Sequence, residues 1–224
     1  MKKLILAAFA LTTAASVFAQ GTVAFNNNVA GTVRTHIYMP LTTAPTFSQI
    51  GNGTSDTTAG ATSWAGFSLM GSGGLLPPYA PGTTLASLIG APGSGAAEGS
   101  LTPGNVTTTF RTGLGAGFIA ATTATFAQVG LDSPATLEMV AWDNASGLYP
   151  TWTQAFPAWT KGLIAAGEGG RFNATLGGTG ANPNIVGSQS FNLYFAVAVP
   201  EPSTFALAGL GLAALVAFRR RSSK

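Results

Sequence analysis

The chain of 224 residues contains one histidine, His36, and no cysteine. Serine–histidine–acid catalysis would have to pass through that single imidazole, and no G-x-S-x-G elbow accompanies it. His36 shares one face of an alternating stretch with Arg34 and Tyr38, which reads as the solvent side of a strand. The lack of cysteine removes disulfides, thiolate metal sites and a thiol nucleophile. Carboxylates remain. Six lie between Gln20 and Val199: Asp56, Glu98, Asp132, Glu138, Asp143 and Glu168. Hydrolysis of a glycan needs two of them about 5–10 Å apart. On one regular strand Glu138 and Asp143 face opposite ways. Asp132 and Glu138 share a parity but would be roughly 20 Å apart, with Pro134 between them. Any working pair, such as Asp56 with Glu98, would have to be gathered by tertiary folding. Asp143-Asn144 with Ser146-Gly147 is the best calcium-like fragment, and an Asx turn ending a strand explains it more simply. No catalytic residue, metal set or cofactor is assigned on these grounds.

Trp142, Tyr149, Trp152, Phe156 and Trp159 crowd into a short stretch. An exposed set would stack on sugar rings, so Trp142, Tyr149, Trp152 and Trp159 are the candidate glycan contacts. The simpler account makes them core material, because aromatic side chains carry large buried area. Gly113, Gly115 and Gly117 do not make a dinucleotide fingerprint, since no βαβ pattern surrounds them.

These residues sit in a chain of unusual balance. Charged residues make up 8% and hydrophobic ones 46%, with 30 glycines and 13 prolines. Such a chain is too apolar for a disordered tract and suits a β-rich exported domain. The formal net charge is +3, but Lys2, Lys3, Arg219, Arg220, Arg221 and Lys224 all lie at the ends. Between Gln20 and Val199 four bases (Arg34, Arg111, Lys161, Arg171) face six acids, a net charge of −2. No basic patch points to nucleic acid.

Residues 1–19 have the three-part order of a secretory signal. Lys2 and Lys3 precede an apolar run from Leu4 to Leu11, and Val17-Phe18-Ala19 offers small residues at the −3 and −1 positions. Cleavage is expected between Ala19 and Gln20. At the other end Val199-Pro200-Glu201-Pro202-Ser203-Thr204 leads into an uncharged apolar run from Phe205 to Phe218, closed by Arg219-Arg220-Arg221. The two prolines hold the motif extended. The apolar run of 14 residues covers roughly 21 Å against a hydrocarbon core of ~30 Å; the transmembrane helix is taken over 204–218, and snorkelling or local thinning makes up the difference. The arginines act as a cytoplasmic stop by the positive-inside rule, which places the preceding domain outside.

The VPEPST motif, the short apolar helix and the Arg-rich end resemble the PEP-CTERM sorting signal over about 26 residues. The resemblance implies recognition by an exosortase, a transpeptidase-like membrane enzyme, with Pro200, Glu201 and Pro202 as the recognition motif. It implies transient insertion in the inner membrane, cleavage near the motif, and release or attachment at the cell surface in bacteria that make exopolysaccharide. Exopolysaccharide is thus the candidate associate. QGTVAFNNNV and AWDNASG…IVGSQSFNLY are similar to a group of verrucomicrobial PEP-CTERM exported proteins, a likeness that implies no activity.

Period-two alternation marks strands at Thr22–Asn26, Val33–Met39, Phe67–Leu69, Val106–Arg111, Ala124–Val129, Leu137–Trp142, Arg171–Leu176 and, most clearly, Phe191–Val197. Gly/Pro/Asn/Ser clusters separate them, with long loops expected over 71–104. One buried face per strand predicts an all-β fold, an antiparallel β-sandwich of jelly-roll or immunoglobulin-like topology over residues 20–198, followed by the sorting tail over 199–224. A short helix at 153–166 is weakened by Pro157 and Gly162. Two functions follow from the whole: a non-catalytic exported surface or matrix protein, or a secreted carbohydrate-active enzyme using carboxylates gathered by the fold.

Overall fold

The computed structural model describes residues 20–73, 78–178 and 180–197. The expected leader up to Ala19, the motif at Pro200, Glu201 and Pro202, the helix at 204–218 and the stop at Arg219, Arg220 and Arg221 lie outside the described residues. Ten strands and one α-helix are described: β1 (Gly21–Phe25), β2 (Asn28–Val29), β3 (Val33–Arg34), β4 (Ile37–Tyr38), β5 (Thr84–Pro92), β6 (Thr102–Thr108), β7 (Thr122–Phe126), β8 (Pro134–Asp143), α1 (Trp152–Thr160), β9 (Ala166–Thr175) and β10 (Phe191–Asn192).

The fold is mostly β, with antiparallel sheets. Strands β6-β5-β8-β9 form a four-stranded antiparallel sheet in that order. The other strands pair in twos: β1 with β7 and β2 with β3 antiparallel, β4 with β10 parallel. One face of the large sheet presents Leu88, Leu137, Met139 and Phe172 to Val23 and Phe25 of β1, Phe126 of β7, Ile37 of β4 and Phe191 of β10. Each such large side chain, taken fully out of water, contributes about 1.5–3 kcal/mol.

The opposite face is covered too. Ile89 of β5 and Val140 and Trp142 of β8 pack under Trp152, Ala155, Ala158 and Trp159 of α1. Strand β8 is therefore buried from Ala135 through Trp142 without a break. The expectation of one buried face per strand fails here, because both faces of the central strands are roofed. The helix tolerates Pro157 and stops where Gly162 adopts φ +69°. There the Gly162 N–H donates to Trp159 O and the Leu163 N–H to Ala158 O, the bond pair of a Schellman end.

Four stretches differ from the sequence expectation, and the first, Phe67–Leu69, forms no strand but a single bridge from Leu69 to Tyr38. The region 71–104, read as long loops, contains β5, an interior strand of the main sheet. Its Gly90 is small for a packing reason: a Cβ there would meet Leu137 Cδ2 at 2.7 Å and Phe126 Cε1 at 2.9 Å. Phe126 fills the space that a larger residue would take. The stripe Phe191–Val197 yields only the short β10, and Val197 is exposed. Val33–Met39 divides into β3 and β4, with residues 35–38 all buried.

Candidate functional site

A cleft of about 600 Å³ opens where α1 crosses the large sheet, a volume within the range of small-ligand sites. Trp152, Phe156 and Pro157 of α1 form one wall; Ile89, Leu101 and Pro103 from the β5–β6 hairpin face them. Glu98 lies on the hairpin and Glu168 on β9, and both line the cleft. The hairpin is pinned over the sheet. Ala96 N–H donates to Thr136 Oγ1 at 2.9 Å, Gly95 N–H to Asn173 Oδ1 at 3.0 Å, and Arg171 Nη1 to Ala96 O at 2.8 Å.

Register brings a third acid to this place. Glu138 stands opposite Ile89 on β5 and Arg171 on β9, and Val140 stands opposite Glu168. Residues directly opposite one another share a sheet face. Glu138, Val140, Ile89 and Glu168 therefore share the face that carries α1. The register shift between Glu138 and Val140 inserts one extra residue on β9 where Gly170 adopts φ +73°, a local bulge that brings its N–H to the Glu138 carboxyl. Among the described residues Glu138 Oε2 is buried without a hydrogen-bond partner, in a residue only 4% exposed.

Burial pushes the Glu138 carboxyl up to about 7; the charge of Glu98 adds to this, and Arg171 and the Gly170 N–H oppose it. Burial likewise raises Glu168 to about 7, with Glu138 and then Glu98 contributing. Near neutral pH Glu138 and Glu168 hold protons that ordinary carboxyls would have released. Such groups can donate a proton, accept one, or bind a cation that replaces it.

A second polar cluster lies under β4. His36 is buried, and its Nδ1 sits 2.5 Å from Asp56 Oδ1. The expected solvent-facing histidine is thus corrected: the segment carrying Asp56 folds over that face. Asp56 Oδ2 accepts from Gly53 N–H at 2.6 Å and from Ser190 Oγ at 2.8 Å, while Ser190 Oγ accepts the His36 N–H at 2.7 Å. Burial opposes ionisation of Asp56, but the hydrogen bonds from His36, Gly53 and Ser190, together with the attraction of His36, outweigh it and hold the carboxyl below its ordinary range. Serine, histidine and aspartate meet here, yet the serine proton is committed to the aspartate. The arrangement ties β4 to the loops at 53–56 and at 190.

The candidate glycan contacts separate. Trp142 is fully buried and donates its indole N–H to Tyr149 O at 2.7 Å; Trp159 is buried and donates to Tyr194 O at 3.0 Å. Tyr149 packs half-buried against the same cluster. Of the four, Trp152 lines the cleft, beside Phe156, whose ring lies 5.7 Å away, edge to face. Trp142 is therefore corrected from surface platform to core. The Asp143 carboxylate accepts the Ala145 N–H at 2.9 Å and Asn144 Oδ1 accepts the Tyr149 N–H at 2.8 Å, the turn geometry expected of that sequence. Among the described residues no three His, Cys, Asp or Glu side chains are grouped to hold a metal ion, and no helix is long and apolar enough to cross a membrane.

Strand parity alone missed the Glu98, Glu138 and Glu168 set, because the pairing crosses strands and a hairpin. A signal existed: Glu138 interrupts an otherwise apolar TLEMVAW run, and Glu168 stands between glycines in AGEGG.

Residues 198–221 match the PEP-CTERM protein-sorting motif, so the chain carries that motif directly after its β-domain. The motif implies processing by an exosortase and an exported protein that passes through the membrane. No curated protein and no solved structure shows a significant match to the chain.

Proposed function

We propose that this is a cell-surface or extracellular-matrix protein, sorted by an exosortase, non-catalytic, and associated with exopolysaccharide. The observation that carries the reading is the sorting motif at residues 198–221. In this reading the leader is cut between Ala19 and Gln20. The apolar helix at 204–218 then holds the chain in the inner membrane with Arg219, Arg220 and Arg221 on the cytoplasmic side. The enzyme grips Pro200, Glu201 and Pro202 and passes the domain to the surface or the medium. Deleting residues 198–224 tests this by cell fractionation: surface retention should be lost. Unchanged retention removes the reading.

A second reading is supported by the acids around the cleft. Diagonal positions on one sheet face lie about 7–8 Å apart at Cα, within reach of the spacing at which two carboxyls hydrolyse a glycosidic bond. A protonated member would donate to the leaving oxygen while an ionised one attacks the anomeric carbon or activates water. Reducing-end release from polysaccharides, abolished in Glu168→Gln, would favour this secreted carbohydrate-active enzyme. Its absence across neutral and charged glycans would remove it.

A further inference from the structure

The cleft under α1 has two features that ordinary packing does not explain. Its acids lack cationic partners: among the described residues the recorded ion pair is His36 with Asp56, and the nearby Arg171 spends its Nη1 on Ala96 O. Among the described residues the buried Glu138 Oε2 has no hydrogen-bond partner; it lies behind the lining, on the sheet face shared with Ile89 and Glu168, which do line the cleft. Glu98 and Glu168 line the cleft itself, where the cationic donor of a ligand can pair with carboxyls that have no cation beside them among the described residues. The opposite wall is apolar and broad, and Phe156 is 42% exposed on it.

A ligand that satisfies both sides has a cationic donor next to a flat apolar face. A primary ammonium on a pyranose ring fits: the axial C–H groups of the sugar lie on Trp152, Phe156 and Pro157, and the ammonium lies toward Glu98 and Glu168. Carboxylates and aromatic faces both attract such a cation. A lysine side chain offers the charge but only a thin methylene stem, which leaves most of the wall wet. A divalent metal would need a tighter group of ligands than the described residues provide.

We infer that this cleft binds an amino sugar, and hence that the exopolysaccharide partner is a glycan with free amines. The inference rests on the exopolysaccharide part of the function proposed above.

The test uses the full-length chain in detergent, titrated near neutral pH with a glucosamine hexamer, an N-acetylglucosamine hexamer and a lysine hexamer, read by calorimetry and by tryptophan fluorescence. The glucosamine hexamer should bind at least about tenfold more tightly than either of the others. Glu168→Gln should weaken it about tenfold, and Phe156→Ala, at an exposed position, should weaken it without altering the thermal unfolding midpoint appreciably. Equal binding of the acetylated and free-amine sugars, preference for the lysine hexamer, no binding of any probe, or undiminished binding in Phe156→Ala would each overturn the inference. If Glu168→Gln fails to fold, Phe156→Ala decides. Host exopolysaccharide pulled down by the same protein separates the two readings: capture of the polymer without binding of the glucosamine hexamer defeats the amino-sugar inference alone, and no capture of either defeats the exopolysaccharide reading as well.

Discussion

The His36–Asp56–Ser190 cluster and the Glu98–Glu138–Glu168 set both place carboxyls beside buried surface, and they solve the problem in opposite ways. Asp56 has a donor on each oxygen and titrates below its ordinary value. Glu138 has a buried oxygen with none and titrates near 7. A fully satisfied network fixes loops in place, whereas an unsatisfied one costs stability and persists only where something else repays it. The contrast separates the part of the molecule that holds the fold together from the part open to a ligand, although the first contains the more familiar trio of residues.

The largest expected effect follows from removing the satisfied carboxylate. Asp56→Ala leaves His36, Ser190 and the Gly53 N–H facing a void, and should cost about 3–5 kcal/mol in denaturant unfolding. A loss under 1 kcal/mol would place the network among decorative contacts and dissolve the contrast.

Glu138→Gln should act in the other direction. The gain in stability should be on the order of 3 kcal/mol at pH 8, where the native carboxyl is forced to ionise, and near zero at pH 4. Comparing the two unfolding free energies at the two pH values checks it; a loss at pH 8 would contradict it.

The same groups set the shape of the pH profile. Glu138 and Glu168 have folded values of about 7 against an ordinary 4.5. Between those values the unfolded chain has released protons that the native chain keeps, so stability falls as pH rises from 4.5 to 7. Asp56 lies below its ordinary 3.8; its contribution is present above 3.8 and is lost as pH falls through the folded value. Thermal unfolding should therefore be most resistant between about pH 4 and 5. A maximum above pH 7 would mean that the glutamates near the cleft are paired in solution.

A smaller effect probes the packing that was hidden in the sequence. Gly90→Ala places a methyl against Leu137 and Phe126 and should cost about 1–3 kcal/mol by overpacking, read as a lowered unfolding midpoint. A neutral outcome would show that Phe126 can move aside.

Much of the outline was legible, for physical reasons that also explain the gaps. β1, β7 and β8 announce themselves by β-branched and aromatic residues, as at Val23, Phe25, Phe126, Val140 and Trp142. β5 was silent because it is roofed on both faces and must be thin under Phe126, so neither alternation nor bulk marks it. His36 was misread because parity assigns a face but not what covers it, and the segment carrying Asp56 is irregular. The acids of the cleft were each visible, but their meeting depends on β8–β9 register and on the β5–β6 hairpin, which no single-strand pattern encodes. The sorting motif, by contrast, is a linear signal in which order and spacing carry the information.

Mass spectrometry of both termini of the protein recovered from its host tests the central claim most directly. Export and sorting predict a mature chain that begins at Gln20 and ends near Pro200–Pro202, found at the surface or in the medium. Recovery of the intact chain from Met1 to Lys224 in the cytosol would contradict it.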